Sequence, residues 1–129
     1  PNLVHAALNN KTFKLYSDQY RTKDGTCIRD YIHIKDLCIA INKAINKKKK
    51  KDYILNLGSA RENTIFDIIK KLENILSIKI KYKIFPKRKG DSAKLVCSNT
   101  KVSRILNWKP KFSNIKNILD SEIIWQKIK

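Results

Sequence analysis

The apolar positions of this chain change period as it runs, and each change marks an element. "PNLVHAALNN" (1–10) reads as a short helix or the end of one, with Pro1 suited to a first turn and the Asn9-Asn10 pair ending it. "TFKLYS" sets Phe13 and Leu15 against polar neighbours at the period of a short strand, and "DQYRTKDGT" is a loop with an Asp24-Gly25 turn signal. "CIRDYIHI" is rich in β-branched and aromatic residues, which predicts strand through about Ile34. From Asp36, read as an N-cap, Leu37, Ala40, Ile41, Ala44 and Ile45 fall at helical spacing until Lys47–Lys51, which reads as a solvated turn.

The second half repeats the order. "DYILNLG" is a nearly continuous apolar run ending at Gly58, the pattern of a strand buried on both faces. Thr64 and Asp67 form a capping-box pattern, and Ile65, Ile68, Ile69, Leu72 and Ile75 trace one helical stripe behind it. "IKIKYKIF" alternates Ile78, Ile80, Tyr82 and Ile84 with Lys79, Lys81 and Lys83, which predicts a half-buried strand whose lysines face water and guard an edge. After the loop "PKRKGD" come a short helix over "TKVSRILN" and a last helix, capped by Ser113, with Ile115, Ile118, Leu119 and Ile123 on one side. Strands alternating with helices predict an α/β layer architecture.

Composition narrows the classes. The chain has 129 residues, 42% of them hydrophobic, enough for one folded domain or one piece of a larger one. Its formal charge of +18 calls for an anionic partner, so nucleic acid, acidic membrane and phosphorylated small molecules all qualify. Lysine outnumbers arginine 24 to five, whereas specific nucleic-acid readers lean on arginine forks. No specific nucleic-acid role is therefore expected. Cys27, Cys38 and Cys97 form no CxxC pair and have only His5 and His33 for company, so neither a disulfide framework nor a metal site is indicated. Cys38 and Cys97 read as small buried hydrophobes. With no apolar run near membrane-spanning length and no leader pattern at the start, a soluble cytoplasmic protein without a membrane role is expected.

One local pattern suggests redox chemistry. Tyr31 and Lys35 stand four apart, as in the catalytic Tyr-x-x-x-Lys pair of short-chain dehydrogenases, but that pair works only on one helix, where i stacks over i+4. On a strand the two would lie about 13 Å apart. "DYIHI" favours strand, so Tyr31 is assigned to packing and Lys35 to the surface. His33 is assigned no chemistry.

What the stretch does carry is a resemblance. "YRTKDGTCIRDYIHIKDL" (20–37) resembles the Y-P-T-x-D-G-T-x-x-R-D-Y-I-H-V-x-D-L signature of UDP-glucose 4-epimerases, a group of extended short-chain dehydrogenases. "LNLGSARENTIFDII" (55–69), "PKRKGDSAKLV" (86–96) and "TKVSRILNWKPKF" (100–112) resemble three further blocks of the family in order. The fold so implied is the C-terminal substrate-binding portion of a Rossmann-type α/β enzyme, a small mixed sheet with flanking helices. Residues 1–129 would form a single partial domain. The family's NAD-binding glycine fingerprint and catalytic helix find no match here, so no catalytic, cofactor-binding or metal residue is assigned. Pro1 aligns a few residues after an Asn that the family supplies to the nucleotide sugar, so the chain is expected to begin mid-protein.

The resemblance implies a UDP-glucose/UDP-galactose interconversion, with NAD as cofactor of the complete enzyme, a missing N-terminal half as partner, and a homodimer for the complete enzyme. This chain alone is expected to be inactive. By the same resemblance, Arg29 and Arg88 would face the diphosphate and Asp91 would accept from the ribose hydroxyls. Lys14 and Tyr16 match positions whose main-chain groups meet uracil. Other roles stay open: an ion pair of Arg29 with Asp30 or another carboxylate, a solvated Arg88, Asp91 as a helix cap or turn residue, and Lys14 and Tyr16 as plain strand positions. Leu95 takes a position linked to tolerance of N-acetyl sugars, and Lys87 replaces a family arginine. A sibling nucleotide-sugar epimerase or dehydratase, a stand-alone nucleotide-sugar or polyanion binder, and an inert remnant remain alternatives.

Overall fold

Capping chemistry and apolar stripes place the helices where the spacing predicts most of them. The computed structural model describes residues 1–47 and 52–128. In chain order the elements are α1 (Asn2–Leu8), β1 (Phe13–Tyr16), β2 (Ile28–Arg29), α2 (Ile34–Ile45), β3 (Asn63–Thr64), α3 (Ile65–Leu76), β4 (Tyr82–Phe85), β5 (Lys94–Leu95), α4 (Thr100–Leu106) and α5 (Ile115–Ile128). Among the described residues there are two small sheets rather than one. β1 pairs with β4 in parallel, and β2 lies between antiparallel β3 and parallel β5.

α3 is the best-specified element. The Thr64 hydroxyl accepts from Asp67 N at 3.1 Å while the Asp67 carboxylate accepts from Thr64 N at 3.1 Å, the reciprocal box expected of this spacing. Its stripe of Ile68, Ile69 and Leu72 meets Val4 and Ala7 of α1 and Leu119 and Ile123 of α5 in the larger core, which Ile80 completes. A second core joins Ala40 of α2 to Val102 and Leu106 of α4 and to Trp108. Lys43 and Lys47 of the α2 C-terminal region donate to the carbonyls of Asn107 (3.0 Å) and Ile105 (2.7 Å), where cations suit the end of a helix.

Four expectations need correction. α2 begins at Ile34, not Asp36, because the His33 imidazole caps it by accepting from Lys35 N at 3.0 Å; the preceding strand is correspondingly cut to Ile28–Arg29. Asp36 is instead buried in the first turn. There its carboxylate accepts from Lys111 N (2.9 Å), Phe112 N (2.8 Å) and Ser113 Oγ (2.6 Å), and its carbonyl accepts from Trp108 Nε1 (3.1 Å). Ser113 is therefore spent on Asp36, and Asn114 caps α5 by accepting from Asn117 N at 2.9 Å. Cys38 is exposed and Cys97 half-buried, so neither is a core hydrophobe.

The remaining departures concern strands. "DYILNLG" forms no strand, and Ile54 is 87% exposed, because among the described residues no neighbouring strand offers it a ladder. Only Tyr82–Phe85 of the alternating run is strand, and although Ile80 is buried, Ile78, Tyr82 and Ile84 are exposed; a pair of strands covers one edge and little of either face. On α2, Ile34, Ile41 and Ile45 share one face and all three are exposed. Most of the lysine run, residues 48–51, lies outside the described residues. Among the described residues no helix is long and apolar enough to cross a membrane.

Candidate functional site

β1 presents two kinds of group at once. Phe13 N and Ser17 N donate to Lys81 O and Phe85 O of the β4 side at 2.8 and 2.9 Å, so by strand alternation the amides and carbonyls of Lys14 and Tyr16 face the opposite edge. Among the described residues no strand pairs with that edge. A free amide and carbonyl in register suit the matching donor and acceptor of a planar heterocycle. The Tyr16 ring packs against Phe85 with centroids 5.9 Å apart, and the Arg88 guanidinium lies over Tyr16 at 4.4 Å from the ring centre.

The loop after β4 holds the charges. Arg88 Nε donates to Asp91 Oδ2 at 2.9 Å, and Gly90, at φ +85°, supplies the left-handed residue of the turn closed by Asp91 N on Arg88 O. Arg29 reaches across from β2, its Nη1 donating to Ser92 O at 2.9 Å and thereby tying the loop to the strand. Arg29 makes no ion pair among the described residues, which rules against the pairing with Asp30. The Asp30 carboxylate turns the other way, accepting from Ser59 N (2.8 Å), Ser59 Oγ (2.5 Å), Ala60 N (3.1 Å) and Cys97 N (3.2 Å). Gly58 makes this possible, since a Cβ there would overlap Asp30 Oδ2 and Cys97 Sγ.

These elements surround a cleft of about 430 Å³. Leu3, Phe13, Tyr16, Tyr31, Ile65 and Ile68 give it apolar and aromatic walls, α5 adds Ile115, Ile118 and Leu119, and Asn2, Lys14, Arg88 and Glu122 are its polar members. An apolar slot with a few convergent polar groups is the usual form of a small-molecule site. Of the residues singled out from sequence, Lys14, Tyr16 and Arg88 line the cleft, Asp91 is bonded to Arg88, and Arg29 stands behind the loop without lining the cleft. Asn2, Leu3 and Glu122 escaped the sequence reading, and Ile65 reads there only as part of the α3 stripe. Helix α1, the start of α3 and α5 have to pack before these four share a wall, and nothing local marks them. A second cleft of about 510 Å³ includes Arg61, Lys109 and Lys111, but Pro110 is its one apolar member, so it offers no wall to a base.

Tyr31 lines the cleft just ahead of α2, and burial pushes its phenol up to about 12, which keeps it protonated at neutral pH. Lys35 lies over the Phe112 ring at 4.3 Å. The two never form the helical pair their spacing suggests. The Cys97 thiol is pushed up to about 11 by burial and by the neighbouring Asp30 carboxylate, the reverse of what a nucleophilic thiolate needs.

Asp24, Asp30, Asp36 and Asp67 share one electrostatic logic. Burial raises each, but hydrogen bonds outweigh it: from Thr64 and Thr26 to Asp24, from Ser59 and Cys97 to Asp30, from Ser113 and the Lys111–Ser113 amides to Asp36, and from Lys23 and Thr64 to Asp67. All four therefore titrate below their ordinary 3.8. A depressed folded value stabilises fully above the unfolded one and is lost as pH falls through the folded one. Stability is thus expected to be flat with respect to these groups from pH 5 upward and to fall below about pH 4. Urea midpoints from pH 7 to pH 2.5 check this; a midpoint unchanged at pH 2.5 would count against the hydrogen-bonded carboxylates.

Comparison with known proteins places this geometry in context. The sequence model of GDP-mannose 4,6 dehydratase matches residues 2–120. The chain is 34% identical over 130 residues to a UDP-glucose 4-epimerase of Lactobacillus helveticus, covering 98% of this chain and 39% of that protein. It is 38% identical over 131 residues to a UDP-glucose 4-epimerase of Mycoplasma pneumoniae, with the same shares. The crystal structure of UDP-glucose 4-epimerase from Bifidobacterium longum in complex with NAD+ and UDP superposes with a TM-score of 0.91 at 31% identity, over 98% of this chain and 38% of that one. The chain thus spans about 39% of the length of these two curated relatives.

Proposed function

The chain belongs to the family of nucleotide-sugar enzymes described by the GDP-mannose 4,6 dehydratase model, with the fold of the C-terminal portion of an extended short-chain dehydrogenase, and on that premise we propose that it supplies the UDP-sugar site of a UDP-glucose 4-epimerase. The observation that carries the reading is Arg88, stacked on Tyr16 and bonded to Asp91 at an apolar cleft whose β1 edge has free main-chain groups. In this reading the main-chain groups of Lys14 and Tyr16 meet uracil beside Tyr16 and Ile65. Asp91 accepts from the ribose hydroxyls, a task for an ionised carboxylate. Arg88, with Arg29 behind it, neutralises the diphosphate, where a guanidinium fork fits phosphate oxygens better than an ammonium does.

NAD supplies hydride abstraction and return at the sugar C4 in an epimerase of this kind. The residues of this chain do not fit that cofactor. Its three glycines, Gly25, Gly58 and Gly90, lie in separate loops, and none forms the strand-turn-helix seat that a pyrophosphate requires. No redox step is therefore assigned to it, and this polypeptide by itself is proposed to bind without turning over. The exposed face of Ile34, Ile41 and Ile45 and the unpaired segment around Ile54 support a partner half that covers them.

Calorimetric titration with UDP, UDP-glucose and tripolyphosphate tests the reading. UDP and UDP-glucose are expected to bind with an affinity that Arg88→Ala reduces by roughly tenfold or more, as for a charge-assisted phosphate contact. Tripolyphosphate binding, in contrast, should fade with salt and ignore the substitution. If all three ligands bind alike and track salt alone, the chain is a polyanion binder and the nucleotide-sugar reading fails.

A further inference from the structure

Among the described residues a single buried side-chain polar atom lacks a hydrogen-bond partner, the Tyr20 hydroxyl. The residue is 7% exposed, its ring lies under the Lys87 ammonium at 4.9 Å, and its main chain is clamped by Tyr20 N on Gly25 O at 2.8 Å and by Thr22 N on Tyr20 O at 2.8 Å. Two other buried hydroxyls are satisfied: Thr26 bonds Asp24, and Thr64 bonds Asp24 and Asp67. Native folds rarely leave such an atom alone, because burial strips its water and returns nothing. The orphan is also not placed at random. The charges that act on it are Asp91, Arg29 and Arg88, the three side chains assigned to the ribose and diphosphate, together with Cys27. Burial raises its phenol further from neutrality, so the hydroxyl is a donor at physiological pH.

We propose that the Tyr20 hydroxyl is a ligand-binding group that donates a hydrogen bond to the diphosphate of the bound nucleotide between Arg29 and Arg88; this rests on the nucleotide-sugar reading above and deepens it. A phosphate oxygen is an acceptor only, which matches a neutral donor whose ring lies under the Lys87 ammonium. Tyr20 would then add direction to a site whose two guanidinium groups supply mainly charge. Without a bound nucleotide the same hydroxyl would be a cost, kept for binding rather than for folding.

Two opposed readouts separate that role from a structural one. Tyr20→Phe keeps the ring and removes only the oxygen. UDP affinity, by calorimetry, should fall by about tenfold, which is roughly 1.4 kcal/mol. Uridine affinity, by NMR shift titration, should stay unchanged, and the thermal midpoint should hold or rise because an unpaired buried hydroxyl has gone. The inference is overturned if UDP affinity is unaltered, if uridine weakens as much as UDP, or if the midpoint drops. Should the unaltered chain bind neither UDP nor uridine, the nucleotide-sugar reading itself falls and takes this with it, whereas UDP binding indifferent to the hydroxyl removes only the role of Tyr20.

Discussion

Asp36→Ala is expected to lower the unfolding free energy by about 3–5 kcal/mol, a large share of the roughly 5–15 kcal/mol that a domain possesses. The side chain is 1% exposed and accepts from two amides and a hydroxyl of the segment 111–113, while its carbonyl holds Trp108. Truncation leaves Lys111 N, Phe112 N and Ser113 Oγ facing a void, and each stranded donor carries its own desolvation penalty of about 1–3 kcal/mol. The consequence extends beyond the local turn, because Ser113 also accepts from His33 N at 2.9 Å, and His33 caps α2. One carboxylate thus joins α2 to the segment that leads into α5. Urea denaturation measures the loss, and a change below about 1 kcal/mol would show that segment 109–114 is held by other means. The acid-induced loss of stability should also shrink in this variant, since one of the four depressed carboxylates is gone.

Gly25→Ala should cost about 2–4 kcal/mol and should weaken UDP binding further than that loss alone would explain. Gly25 sits at φ +81°, and a Cβ there would overlap the Asp18 backbone carbonyl, so neither the conformation nor the space admits alanine. Its carbonyl accepts from Tyr20 N, and the preceding Asp24 holds Thr26 N (3.0 Å) and Thr26 Oγ1 (2.8 Å) in the same turn. Displacing the turn therefore displaces Tyr20 and the strand that carries Arg29. Gly90 provides the internal control. Its φ is +85°, but a Cβ there meets nothing within 4 Å, so Gly90→Ala carries the conformational term alone, about 1–2 kcal/mol. Equal losses in the two variants would remove the steric argument for Gly25.

Local chemistry was readable wherever a residue's partner lies within one turn of it. Thr64 and Asp67 announced their box because the two members sit three residues apart in the chain, and the α3 stripe announced its buried face because 3.6-residue periodicity needs no partner to be recognised. Asp36 was read as a cap for the same local reason, and wrongly, since its bonds run to residues 75 to 77 positions away. "DYILNLG" has the composition of a buried strand but finds no ladder among the described residues; apolar content reports what a segment could bury, not whether a neighbour is there to bury it.

By itself the sequence determined most of the helices, the Asp24-Gly25 turn and the family, because capping, periodicity and ordered motif blocks are properties of neighbours along the chain. Only the tertiary structure decided that Arg88 stacks on Tyr16 and bonds Asp91, that Asp30 turns away from Arg29, and that Asn2, Leu3 and Ile65 share a wall with them. It also left Tyr20 buried beside those charges with an unpaired hydroxyl. The physical reason is the same throughout. Burial and long-range hydrogen bonds depend on which surfaces meet, and no pattern in a linear chain records that.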